Sequence, residues 1–329
     1  MMLLAGTYDG VYRADGPEFD AAERVLDAGR AMRVRRFDGW DGAFAATKTG
    51  LYRSTDGGDS WTNLDVPREE VYSVLGDPEG KRLYAGTHPA HLYVSEDDGE
   101  TWRELTGFQD LPSRDEWYTP RHRNESHVRS LGAHPDAPAR VVAGVEVGGV
   151  HVSDDRGETW TERKGGVRTS EESAGSSRAE RSDGVHDDVH HVLVRGPDHY
   201  VASCGGGLYR TADAGETWTR LDEGVEHTYF REAFAHDGTL YAAAARSSPG
   251  TWRGERGADA ALFESTDDGD TLESVSYPGG PEEVVLAWTT DGEGRVVAGT
   301  NDGGVIVRSA GEWVAGGRLP EGVASLCRV

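Results

Sequence analysis

Two short stretches of the chain concentrate the side chains that could do chemistry. Arg121-His122-Arg123-Asn124-Glu125-Ser126-His127 and His186-Asp187-Asp188-Val189-His190-His191 bring imidazoles, carboxylates and guanidinium groups within a few residues of one another. Three chemistries fit them. His122, His127, His186 and His190, with Asp188 or Glu146, offer nitrogen and oxygen donors suited to zinc, manganese or iron, although the spacing matches no compact metal motif. A divalent metal is therefore the cofactor the sequence allows. Asp187 or Asp188, opposed by Glu146 or Glu283, would supply the acid and base of a glycosidase, with His127 and His190 as further groups for proton transfer. Arg121, Arg123, Arg231 and Arg253, with Tyr118, Tyr229 and Trp252, suit a ligand bearing a carboxylate or sulfonate, because a planar guanidinium binds such groups through two parallel hydrogen bonds. The competing account is that carboxylates and backbone satisfy the histidines, and that paired carboxylates arise by chance in so acidic a chain.

These residues need a scaffold, and an internal repeat supplies one. The segments Leu51–Trp61, Leu92–Trp102, Val150–Trp160 and Leu208–Trp218 share one pattern, typified by Leu208-Tyr-Arg-Thr-Ala-Asp-Ala-Gly-Glu-Thr-Trp218. Degenerate copies stand at Leu262–Leu272 and Val305–Trp313, and a relic at Val11–Gly16. Each copy reads as two strands around a tight turn. Asp56, Asp97, Asp155 and Asp213 are expected to accept backbone N–H bonds there, and Gly58, Gly99, Gly157 and Gly215 to permit positive φ. The tryptophans supply stiff apolar area for packing between units. Two further strands precede each copy, an inner one beginning near Met32, Val71, His127, Asp188, Tyr229 and Glu283, and a second near Ala43, Arg82, Arg140, Tyr200, Thr239 and Arg295.

That makes six complete four-stranded antiparallel units. The remaining pieces, Gly322–Val329 and Met2–Gly29, combine into a seventh whose pairing removes the open edges. The expected fold is all-β, a seven-bladed β-propeller closed by the C-terminal strand joining the N-terminal blade, as a single domain over residues 1–329. The repeat resembles the Asp-box (BNR) repeat, Ser/Thr-x-Asp-x-Gly-x-Thr/Ser-Trp, of the sialidase-like propeller superfamily. His127-Val-Arg-Ser-Leu, Glu146-Val-Gly-Gly-Val, His186-Asp-Asp-Val-His and Trp252-Arg-Gly also look like segments of single-domain BNR repeat glycosyl hydrolase-like proteins. The resemblance extends to xyloglucanase-type glycoside hydrolases, which pair two such propellers around a cleft, and to photosystem II assembly factors, which carry one and no catalytic activity. Sialidases have an Arg-Ile-Pro type motif where this chain reads Met32-Arg-Val-Arg-Arg-Phe37, which weighs against sialidase activity.

On such a scaffold the insertions at 108–126, 164–187 and 246–261 crowd one face over blades 3, 4 and 5. Enlarged loops on a rigid frame carry function more often than strands do. His88, His91 and His227 fall near the same loop ends, and Arg168–Ser182 reads as a polar flap. Strict alternation would send His190 and His191 to opposite sides of the sheet, so that only one serves the channel.

Composition excludes some partners. The chain has 58 acidic against 34 basic residues, a net charge of −24, and its only lysines are Lys48, Lys81 and Lys164. Such a halophile-like surface repels phosphate backbones and anionic lipid, so neither nucleic acid nor membrane is expected as a partner. No apolar run approaches the ~20 residues of a membrane helix. Cys204 and Cys327 fall in different blades and read as separate buried thiols; with no secretory leader pattern at Met1–Gly6, the expected location is cytoplasmic. The reading is a propeller that binds a small molecule or glycan on its loop-rich face, with glycoside hydrolase or lyase chemistry as one form. There His127, Asp188, His190 and Glu146 would be catalytic, and Arg121, Arg123, Tyr229, Arg231, Trp252, Arg253 and Glu283 would bind ligand. The alternative is a non-enzymatic scaffold for a protein partner, anchored by Trp117, Tyr118 and Trp252.

Overall fold

The computed structural model describes residues 2–19, 21–164, 184–253 and 257–329. Their strands form seven four-stranded antiparallel sheets. The inner strands are Ala31–Arg35, Val71–Gly76, His127–His134, Val189–Val194, Tyr229–His236, Val285–Thr290 and Val323–Arg328, for blades 1 to 7. Each packs on the next, and the last returns to the first. Val323–Arg328 pairs antiparallel with Met2–Thr7, opposing Leu4 to Cys327 and Ala5 to Leu326, so the ring closes within one sheet. Cys204 and Cys327 are buried free thiols. No helix of the described residues is long and apolar enough to cross a membrane.

Neighbouring blades meet closely because the second strands carry glycine where the next inner strand crosses. A Cβ on Gly86 would stand 2.7 Å from Val128, and one on Gly144 2.8 Å from Val189. The acidic turns tie the two outer strands of a blade together. At Asp155, the Thr159 N–H and hydroxyl donate at 2.9 and 2.6 Å, and the Ser153 hydroxyl donates at 2.8 Å while accepting the Gly157 N–H at 2.7 Å. The same bonds recur around Asp56, Asp97 and Asp213, with the glycine at φ +97°, +93° and +87°. The degenerate copy at Asp267 keeps the Thr271 N–H bond at 2.9 Å.

One irregularity shapes everything at the channel. In each of the six complete blades the register of the inner strand against the second strand shifts at the inner strand's first residues, as between Ala31 and Arg33 or Val189 and His191. Such a bulge breaks side-chain alternation. As a result His190 and His191 do not divide cleanly between the two sides of the sheet. His190 reaches Asp188 and Tyr229, and His191 reaches Glu232, which also accepts Arg35 from the opposite side of the ring.

The 108–126 insertion folds into short 3-10 turns whose Phe108 and Trp117 pack over His151 of blade 3, with ring centroids at 5.7 and 4.9 Å. His151 is fully buried and donates to the Gly148 carbonyl at 3.0 Å. Burial pushes its imidazole down to about 4, against the nearby charge of Glu162. A folded-state value below the unfolded one of ~6.5 means that the unfolded chain binds the proton first as pH falls. The stabilisation is therefore complete above about pH 6.5 and lost between there and about pH 4. His151→Gln, which keeps a donor but does not titrate, is expected to lose ~2–3 kcal/mol less stability than the parent between pH 7.5 and 4.5, measured by urea unfolding. Parallel curves for the two proteins would refute this.

Candidate functional site

The centre of the ring is crossed from side to side. Arg35 of blade 1 reaches over the axis to Glu232 of blade 5 at 2.7 Å, and also donates to Ser325 of blade 7 at 2.7 Å. Arg33, two residues earlier on the same strand, donates to the His190 carbonyl of blade 4 at 3.3 Å. Blade 1 neighbours neither blade 4 nor blade 5, so these side chains form a floor.

Beside this floor a cavity of about 430 Å³ opens. The 108–126 segment gives it His122, and the 246–261 segment gives it Trp252 and Arg253. The first residues of the inner strands add Met32, Tyr72, Arg129, Tyr229, Leu286 and Ala324.

The charge of this cavity is opposite to that of the protein. Among the described residues, Arg30, Arg33, Arg129, Arg231 and Arg253 line it against one carboxylate, Glu146. Glu146 is bonded to Arg129. Arg30 lies over the Tyr8 ring at 4.5 Å, Arg33 contacts only carbonyls, and Arg231 donates to the Tyr229 hydroxyl at 3.2 Å. Among the described residues none of these three is joined to a carboxylate. Burial lowers the Arg30 and Arg33 guanidinium groups, the latter to about 9, so Arg33 remains charged at neutral pH.

The wall between blades 3 and 4 holds the histidine and carboxylate cluster. Glu146 ends the second strand of blade 3, opposite His127, and its backbone bridges to Asp188. Its carboxylate lies 3.3 Å from His122 Nε2 and 3.2 Å from His127 Nε2. His190 Nε2 lies 3.5 Å from Asp188, while its Nδ1 donates to the Phe230 carbonyl at 2.5 Å. Burial works against ionisation of Glu146, but Arg129 and His127 outweigh it and hold the carboxyl well below its usual range. Asp188 is likewise buried, and His190 lowers it below its usual value. Burial lowers His127 to about 4 and His190 below its usual value, so both are neutral. A glycosidase acid must keep a proton near neutral pH. Neither Glu146 nor Asp188 does so.

The remaining candidates scatter. Tyr229, Arg231, Trp252 and Arg253 border the cavity; Trp252 is buried, bonded through Nε1 to the Ser247 carbonyl at 2.8 Å and packed edge-on to Tyr229. Arg123 sits at the rim, bonded to Glu70 and His88 at 2.7 Å each. His88 in turn donates to the His122 carbonyl at 2.9 Å, pinning that loop to blade 2. Glu283 is engaged by Arg318 and the Gly280 N–H, away from the cavity lining. His186 accepts the Asp188 N–H at 3.2 Å and pairs with Asp187, outside the groups that could share an ion. The Arg121 side chain and most of the 164–187 insertion, with the flap, lie outside the described residues. Of the expected protein-binding anchors, Trp117 and Trp252 are buried and only Tyr118 is exposed. Arg30, Arg33, Arg129, Tyr8 and Tyr72 were not anticipated; the signal for Arg33 and Arg129 was an arginine two positions past the start of an inner strand.

The floor yields a direct test. Arg35→Met takes from Glu232, 6% exposed, its only arginine ion pair among the described residues, leaving a buried carboxylate with His191 at 3.5 Å and the more distant charge of Arg33. Thermal and urea unfolding should show a loss of ~3–5 kcal/mol, and Arg35→Met with Glu232→Met should recover most of it.

No family model matches the chain. It is 24% identical over 272 residues to the photosystem II assembly lipoprotein Ycf48 of Synechococcus sp. (strain CC9902), covering 79% of this chain and 67% of that protein. Among solved structures it resembles an ancestral GH74 enzyme, with a TM-score of 0.62 at 15% identity over 88% of this chain. It spans 39% of that enzyme's length. It also resembles Ycf48 bound to a D1 peptide, with a TM-score of 0.52 at 17% identity over 84% of this chain and 77% of the other. What these likenesses establish is a seven-bladed propeller whose neighbours include both glycoside hydrolases and assembly proteins.

Proposed function

We propose that this protein is an Asp-box propeller that binds a small anionic molecule, an acidic sugar or a related carboxylate, in the cavity at the centre of its ring. One observation carries the reading. A chain of net charge −24 gathers five arginines around one cavity and, among the described residues, leaves three of them bonded to no carboxylate. Like charges packed together cost free energy unless a counter-charge is present, and exposed acidic residues were plentiful enough to supply one. An anionic ligand completes the balance. Tyr8, Tyr72 and Tyr229 add flat apolar faces and hydroxyls suited to a sugar ring, and Trp252 backs Tyr229. The GH74 neighbours support the glycan side of this reading. The low-lying Glu146 and Asp188 place binding ahead of glycoside hydrolysis, since neither holds a proton to donate to a leaving group.

Calorimetric titration with galacturonate, glucuronate, a small dicarboxylate and neutral glucose tests it. An acidic member should bind and glucose should not, with affinity falling as salt rises. Arg231→Ala and Arg33→Ala should each weaken binding by at least tenfold, about 1.4 kcal/mol. Equal affinity for glucose and glucuronate would overturn the proposal. Saturable binding of a D1-type peptide in place of any small anion would favour the assembly-scaffold reading.

A further inference from the structure

The cavity wall carries a second set of groups that anion binding does not use. His122, His127 and Glu146 each offer one ligand atom, and the three atoms all lie within 4.8 Å of one another. We propose that these three side chains form a divalent transition-metal centre on the blade 3 wall of the cavity.

The donor chemistry is two imidazoles and one carboxylate, a set that zinc, manganese and iron accept and that leaves coordination positions open. His122 and Glu146 border the cavity, so those positions face the space where a ligand would sit. His127 is fully buried and held by the Tyr72 ring at 4.0 Å, and its Nδ1 has no hydrogen-bond partner. The carbonyl of His122 is fixed by His88, as described above, which limits how far that ligand strays. Both imidazole nitrogens point at one carboxylate rather than at separate acceptors.

A positive charge already occupies this cluster. The Arg129 guanidinium contacts Glu146 and lies 3.4 Å from His127 Nε2. It marks a place where Glu146 and His127 already face a cation, and it competes with a metal there. On the far side of Glu146, Asp188 and His190 form a second group with the same carboxylate. Their His190 Nδ1–H bond to a carbonyl is the kind that orients a ligating imidazole, yet Asp188 and His190 are absent from the cavity lining. The assignment is therefore to the His122 side.

Untagged protein purified without chelator should carry close to one equivalent of zinc, manganese or iron by inductively coupled plasma mass spectrometry. After chelator treatment, Zn2+ or Mn2+ should rebind with one-to-one stoichiometry in a calorimetric titration. Glu146→Gln and His122→Ala should each weaken that binding by at least tenfold, Asp188→Asn should change it less than threefold, and Arg129→Gln should tighten it. His122 sits on a half-exposed turn, so its variant decides the matter should the Glu146 change disturb folding, which circular dichroism would report. Absence of metal together with no heat for either ion overturns the centre, as does metal uptake unaffected by His122→Ala, which would locate the ions on the acidic surface. Strong loss in Asp188→Asn alone would overturn the donor assignment. The outcome is separable from ligand binding, because metal-free protein can be titrated with glucuronate on its own.

Discussion

The structure turns on a pair of side chains that reach across an axis. A propeller with a hole through its middle has seven inner strands and nothing to bind at the centre. Here Arg33 and Arg35 of one strand span that hole to blades 4 and 5, and Ser325 of the closing strand holds Arg35 in place. A channel becomes a floored cavity. The floor is also cationic, because one carboxylate, Glu232, faces two guanidinium groups, bonding Arg35 and acting on Arg33 through its charge alone. Depth and positive charge thus have the same origin, and the character of the site follows from both.

Electrostatics separates the interior from the exterior. If the proposed function holds, the acidic surface would keep phosphate-bearing polymers at a distance, while the arginine-lined cavity would attract a small anion entering between the loops. A large polyanion would meet the surface first and be turned away; a monosaccharide-sized acid would sample the cavity. Size selection of this kind needs no close steric fit.

Much of this was legible in the sequence, for identifiable reasons. The turn motif is a local structure in which Ser or Thr, Asp, Gly and Thr bond to one another over a few residues, so each copy announces its blade and the blades announce the ring. Ala43–Thr47 and Tyr200–Cys204 have the expected bounds. The cluster of His122, His127, Glu146, Asp188 and His190 was legible because it lies at loop-to-strand junctions on adjacent blades. The arginines of the floor were not, since their role depends on what stands opposite them across the ring, and sequence spacing between blades 1 and 5 carries no such information. The two histidines of blade 4 were read through strict alternation, which the bulge at the start of the strand breaks. Glu283 and Arg123 looked like ligand groups from their position; their local partners Arg318 and Glu70 are nearby charges that a one-dimensional reading does not rank.

The closing seam has a mechanical consequence. Leu3 pairs with Arg328 and Thr7 with Val323, so a load drawing the outer ends of these two strands apart acts on one hydrogen-bonded pair at a time, peeling the seam like a zip instead of shearing it. Peeling is the low-force geometry. The strand it would release carries both Ser325, which steadies Arg35, and Ala324, which lines the cavity. Under tension the ring would give way first at its own fastening, and the cavity would fail with it while six blades stayed whole.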